Sequence, residues 1–191
     1  MQSQAISSHV ATLYRFCAQS LQYPDSSWFT ETYLGSLHIL LSELGATQEW
    51  AELDKAFKKS NDMLEDLQVE YTRLFINGVP HVAAPPYGSV YLEKTLRGKY
   101  SDDILLHYQK HGYSLTADAD LPDSIIHQLE FLSFLAEENN QKAEEEFLNL
   151  FFLSWFSVFA QRVDEEAQHP FYSIIISLID FFTKEEKEYG V

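Results

Sequence analysis

The stretch "YTRLFINGVPHVAAPPYGSVYLEK", residues 71–94, decides how the rest of the chain is read. It begins in an apolar-periodic run that breaks at Asn77-Gly78. A loop follows that carries Gly78, Pro80, Pro85 and Pro86, residues that shape a backbone. Proline fixes φ and keeps the residue before it extended. The chain then resumes with "SVYLEK", which reads as a short strand or a helical turn. Tyr71, Phe75, Tyr87 and Tyr91 flank the loop. Such a loop either packs between two helical halves or offers a docking surface whose ordering entropy is already lost. The pattern alone leaves both open.

On either side of the loop the apolar spacing is helical. Ser7 or Ser8 opens a first helix to about Gln22, with Val10, Leu13, Tyr14, Cys17 and Leu21 on its stripe. Ser26 or Ser27 opens a second that stops at Gly45. Thr47 starts a third with Trp50, Leu53 and Phe57 on one stripe. Asn61 or Asp62 opens a fourth that carries Leu64, Leu67, Tyr71, Leu74 and Phe75. Beyond the loop, helices are predicted from Ser101 to Gly112, from Pro122, from about Lys142 to Val163, and from Pro170 to about Lys187. Residues 115–121 read as a polar linker. The prediction is an all-α chain of about eight to ten helices, forming one domain over residues 1–191.

Composition narrows the function. Hydrophobic residues make up 46% and aromatics 15% of 191 residues, enough for a sizeable core. The net charge is −16, from 29 acidic and 13 basic side chains. That disfavours a nucleic acid, which is held by clustered Lys and Arg, and favours a basic partner. The lone Cys17 sits on an apolar stripe and reads as a buried small hydrophobe. No signal-peptide pattern opens the chain, and windows 147–160 and 171–182 are too short to span a bilayer. A cytoplasmic protein without stable membrane insertion is the expectation.

The chain carries few signatures of catalytic chemistry. No phosphate-binding loop, dinucleotide fingerprint, nucleophile elbow or zincin motif is present. His107 and His111 are four apart, but Tyr108, Gln109 and Lys110 make the segment read as solvated surface, so no metal site is expected. Asp123, His127, Glu130 and Phe134 fall on one helical stripe, opposite Ile125, Leu129 and Leu132. Asp123, His127 and Glu130 could serve as an acid/base set. As ordinary cap and surface charges they need no function. A general helical adaptor is the third reading.

Residues 71–94 resemble the Y-x-x-L-F-x-G-P…P-P-x-x-S-V-Y stretch of the TorD/DmsD family, the maturation chaperones of redox enzymes exported by the twin-arginine pathway. Tyr71, Leu74, Phe75, Gly78, Pro80, Pro85, Pro86, Ser89, Val90 and Tyr91 carry the match, with Val79 inserted. "HGYSLTADADLPDSIIHQLEFLSFL" is similar to a second family segment through Gly112, Asp123, Ile125, Leu129, Phe131 and Leu132. Ser124 stands where the family has His, and Gln128 where it has Glu. Trp155 and "HPFYSIIISLIDFF" give a weaker third match.

The resemblance implies an all-helical cytoplasmic chaperone, monomeric or homodimeric, without catalytic residues. Its partners would be the twin-arginine leader and the apo-form of a molybdopterin oxidoreductase, held until the cofactor is inserted. It implies no cofactor beyond the weak guanine-nucleotide binding of some members. The leader, basic and then apolar, would meet Asp123 and His127, with Tyr71, Leu74, Phe75, Tyr87 and Tyr91 receiving its apolar part.

Overall fold

The computed structural model describes residues 2–79 and 81–189, with side-chain environments over 8–79 and 81–184. Among these residues the chain forms α1 (Gln2–Ser20), α2 (Glu31–Glu43), α3 (Thr47–Lys59), α4 (Met63–Tyr71), α5 (Gly88–Glu93), α6 (Lys99–Lys110), α7 (Ile125–Glu137), α8 (Gln141–Phe147), α9 (Leu153–Glu166) and α10 (Pro170–Tyr189). Two π-helical stretches, Thr72–Ile76 and Leu148–Phe152, follow α4 and α8. The all-α prediction holds. The segment after the loop is helical, and among the described residues a single isolated β-bridge joins Tyr87 to Ser124.

Local chemistry sets several helix ends. Asp62 caps α4, its Oδ1 accepting from the Leu64 and Glu65 N–H groups at 3.0 and 3.1 Å. Thr30, rather than Ser26 or Ser27, caps α2 through the Tyr33 N–H. Asp25 explains the delay: its carboxylate takes the Ser27 N–H at 2.6 Å and its carbonyl takes that of Phe29 at 2.9 Å. This local turn competes with helix initiation. The long helix expected over residues 142–163 is interrupted by the π stretch, a feature that apolar periodicity does not encode.

The core follows the stripes. Ala11, Tyr14, Cys17, Ala18 and Leu21 of α1 are buried, as are Tyr33, Leu37 and Leu41 of α2 and Leu53 and Phe57 of α3. α1 lies along α7, where Ser133 Oγ donates to the Ala11 carbonyl at 2.9 Å and Arg15 pairs with Glu137. Trp155, Phe156, Phe159 and Val163 of α9 are all fully buried. Burying each such side chain contributes roughly 1.5–3 kcal/mol, so α9 anchors the half of the molecule on which the proline loop rests. Burial also pushes the Cys17 thiol up to about 12, leaving it a neutral core group.

Candidate functional site

The proline loop is closed onto the fold by its own backbone. The Ala84 N–H donates to the Leu74 carbonyl at 2.8 Å, and Ala84 is fully buried. A Cβ on Gly78 would stand 2.6 Å from the His81 carbonyl oxygen, so only glycine lets the chain double back there. Pro80 lies outside the described residues. Pro85 and Pro86 are half-buried, and the Pro86 carbonyl accepts the Ile125 N–H at 2.9 Å.

That last bond is one of several joining the loop to residues 123–125. The Gly88 N–H donates to the Asp123 carbonyl at 3.1 Å, and the Ser89 N–H to Asp123 Oδ2 at 2.8 Å. With the Tyr87–Ser124 bridge, these bonds make a clasp between two distant segments. The first N–H groups of a helix have no partner within it; Asp123 supplies one to α5 from across the chain. Gln128 Nε2 donates to the Asp123 carbonyl at 2.8 Å, and the Trp155 indole N–H reaches Gln128 Oε1 at 3.4 Å. A Cβ on Gly88 would come within 2.3 Å of the Tyr100 ring and 3.0 Å of the Trp155 indole nitrogen. The clasp is therefore seated directly on α6, α7 and α9.

The residues singled out from sequence fall into different places. Asp123 is fully buried and precedes α7, so it does not share an exposed stripe with His127. Its carboxylate faces the start of α5 because that short helix needs an acceptor there. His127 Nδ1 pairs instead with Glu130 Oε2 at 2.9 Å. No hydrogen bond joins Asp123 to His127 among the described residues, so the three groups of the acid/base alternative do not converge.

Leu74 is fully buried, and Tyr71 and Phe75 are 8% and 6% exposed. Phe75 stands edge-on to Tyr172 with ring centres 5.3 Å apart, and packs beside Phe159. Tyr91 stacks on Trp155 at 5.5 Å, with the Arg162 guanidinium 5.5 Å from its ring centre. Tyr87 is half-buried, and its hydroxyl donates to Asp120 Oδ2 at 2.7 Å. His107, expected on a solvated surface, is buried among Phe131, Phe147 and Phe151. The α6 stripe of Tyr100, Ile104, His107 and Tyr108 turns that ring inward.

Sequence reasoning missed Asp120 and Tyr23. Asp120 lies in the polar linker, where no periodicity marks one acid over another, and it is exposed. Tyr23 reads only as a helix stop, yet its ring stands edge-on to Tyr71 at 5.5 Å. Near the loop, Ile76 and Val79 are exposed.

Glu70 was also overlooked. This buried carboxylate receives Arg73 Nε at 2.8 Å, Arg73 Nη2 at 3.0 Å, and the Gln168 and His169 N–H groups at 2.6 and 3.2 Å. It ties the α9–α10 connection to the turn that launches the loop.

A sequence model of the family described as nitrate reductase delta subunit matches residues 42–161, well over half of the chain. The chain belongs to that family. The TorD chaperone of Shewanella oneidensis is 29% identical over 142 residues, covering 67% of this chain and 62% of that protein. The chain thus matches less than two thirds of that relative's length. The TorD chaperone of Vibrio cholerae serotype O1 is 26% identical over 164 residues, 78% of this chain and 74% of the relative. A crystal structure from Archaeoglobus fulgidus, described as a redox enzyme maturation protein, superposes with a TM-score of 0.62 at 31% identity, covering 93% of both chains. The TorD/DmsD resemblance read from residues 71–94 is borne out, and in this member of the family the two signature segments are the two halves of the clasp.

Proposed function

We propose that this protein is a cytoplasmic maturation chaperone that binds the twin-arginine leader and the apo-form of a partner molybdoenzyme, assisting cofactor insertion and preventing premature export. The observation that carries the reading is the clasp between residues 85–89 and 123–125, which presents a rigid loop beside an exposed carboxylate. Kinship with proteins named TorD chaperone supports it. A leader is a basic segment followed by an apolar one, and a −16 chain attracts the basic part. Tyr87, Ile76 and Val79 meet the leader directly, while Tyr71, Leu74, Phe75 and Tyr91 hold that surface from beneath. Asp123 sets the clasp and His127 pairs with Glu130, so neither is asked to touch the leader. The role needs no catalytic group and no cofactor of the protein's own. No described helix is long and apolar enough to cross a membrane.

The test is co-purification from the native host followed by calorimetric titration with the co-purifying enzyme's leader peptide. Binding that weakens with added salt is expected, because the attraction is partly between exposed charges. Failure to bind both the leader and the apoenzyme overturns the reading.

A further inference from the structure

We propose that Lys94, Arg97 and Arg162, with the exposed Leu92, Leu96 and Val158, form a docking surface for an acidic, apolar-faced segment of another protein. This partner has the opposite charge to the leader, and the surface stands whether or not the leader reading holds.

The surface joins the turn between α5 and α6 to the outer side of α9. Tyr91 and Tyr100, at the two ends of that turn, fasten it to one helical run. The Tyr91 ring stacks on Trp155 with centres 5.5 Å apart, and the Tyr100 hydroxyl donates to the Phe151 carbonyl at 2.9 Å. Arg162, further along the same run, brings its guanidinium 5.5 Å from the centre of the Tyr91 ring. Inside the turn, the Arg97 N–H donates to Ser89 Oγ at 3.3 Å and the Tyr100 N–H to Glu93 Oε1 at 3.2 Å. A turn braced in this way before its partner arrives loses little entropy on docking.

Three cations gather here without a counter-charge. Lys94, Arg97 and Arg162 are exposed, and among the described residues none of them forms an ion pair. The neighbouring Lys99 is paired with Asp103, and Glu93 is turned onto the Tyr100 N–H. Leu92, Leu96 and Val158 are 44%, 56% and 51% exposed. Exposed apolar groups rimmed by charge mark an interaction surface.

The backbone supplies a separate observation. Lys94 and Arg97 hold φ at 56° and 64°, a left-handed conformation that glycine adopts freely and a long side chain resists. The turn needs that backbone shape, but no ion pair of the fold calls for a cation at either position. Such outliers persist where a function keeps them.

Charge decides the kind of partner. A protein segment seated on the turn lies within about 10 Å of these cations, the screening length at 0.1 M salt, while more distant acids are screened. An anionic bilayer meets the whole chain and is repelled by its net charge of −16, and a second copy carries that same charge.

The probe is a synthetic amphipathic peptide with leucines along one face and glutamates along the other, compared by calorimetry with its twin carrying lysines for glutamates. The wild type is expected to bind the glutamate peptide at least about tenfold more tightly, and less tightly as salt is added. Lys94→Gly/Arg97→Gly removes both charges and supplies residues suited to the left-handed backbone. Its melting temperature is expected to equal or exceed the wild type's, while its affinity for the glutamate peptide falls about tenfold, chiefly through slower association. Leu96→Ser is expected to weaken the same peptide about fivefold with an unchanged salt dependence.

Equal affinity for the two peptides, no binding of either, or a double variant that binds the glutamate peptide like the wild type overturns the surface. Binding to phosphatidylglycerol vesicles without binding of the glutamate peptide assigns the patch to lipid. Self-association in sedimentation that the double variant loses assigns it to a second copy. Either result overturns the proposal. Titration of the double variant with the leader separates this surface from the proposed function: undiminished leader affinity is expected, and a parallel loss of leader and glutamate peptide overturns a distinct surface. If the wild type binds no leader, the proposed function falls and the glutamate peptide still decides this surface.

Discussion

Asp123 caps a helix far earlier in the chain: its Oδ2 accepts the N–H of Ser89, 34 residues away, at 2.8 Å with both groups buried. Hydrogen bonds to charged groups contribute more than neutral ones, yet Asp123 Oδ1 has no hydrogen-bond partner among the described residues, which works against the carboxylate. Asp123→Ala is therefore expected to lower stability by about 1–2 kcal/mol, and Asp123→Asn by less, since an amide oxygen still accepts. Urea denaturation should show a lower midpoint at an unchanged slope. A wild-type midpoint for Asp123→Ala would mean that the clasp holds without its carboxylate.

The Glu70–Arg73 pair makes a pH-dependent prediction. Burial alone raises the Glu70 carboxyl, but Arg73 and the Gln168 and His169 N–H groups outweigh it and hold the pKa below its ordinary 4.5. A carboxyl depressed by folding adds stability above its unfolded pKa, and that stability is lost as pH falls through the folded value. Glu70→Gln should cost roughly 1.5–3 kcal/mol at pH 7. The gap from the wild type should narrow steadily below about pH 4.5. Chemical denaturation at several pH values measures it; a gap that stays constant down to pH 3 contradicts the assignment.

His107 has the opposite chemistry and the same sign. Burial, then the neighbouring His111 and Lys110, lower its pKa below 6.5, with Glu146 opposing. The fold thus prefers the neutral ring, and the stability it gains is present above pH 6.5 and is lost as pH falls through the folded value. His107→Phe keeps a ring against Phe131, Phe147 and Phe151 and removes an Nε2 that has no hydrogen-bond partner. Its melting temperature should equal or exceed the wild type's at pH 7.5. Between pH 6.5 and 5 the variant's profile should be the flatter of the two. Parallel profiles would show that His107 does not titrate in this range.

Gly88→Ala tests the seating of the clasp. Alanine favours a helix over glycine by up to about 1 kcal/mol. A Cβ here lies 2.3 Å from the Tyr100 ring and 3.0 Å from Trp155, and overpacking costs typically 1–3 kcal/mol. The clash should win, with a net loss of about 1–2 kcal/mol in thermal unfolding. A more stable Gly88→Ala would mean that Tyr100 can move aside at no cost.

The helical class and most of the core are legible in the order of the residues. Leu53 with Phe57, or Leu37 with Leu41, recur at helical spacing because one face of each helix must leave water. That order also marks residues 71–94 as the distinctive element, since prolines and glycines restrict a backbone whatever surrounds them. The tertiary structure alone decided what the charged and aromatic side chains do. Asp123 and Asp120 are acids three residues apart; one is buried as a cap and the other exposed beside Tyr87. Helical periodicity put Asp123 on a solvent stripe because it cannot represent an N–H group 34 residues away that lacks an acceptor. It turned His107 outward for a similar reason, since the aromatic wall of Phe147 and Phe151 comes from a helix and a π stretch later in the chain. Local spacing fixes which residues share a face, whereas the partner that a polar group finds depends on which distant segments packing brings alongside it.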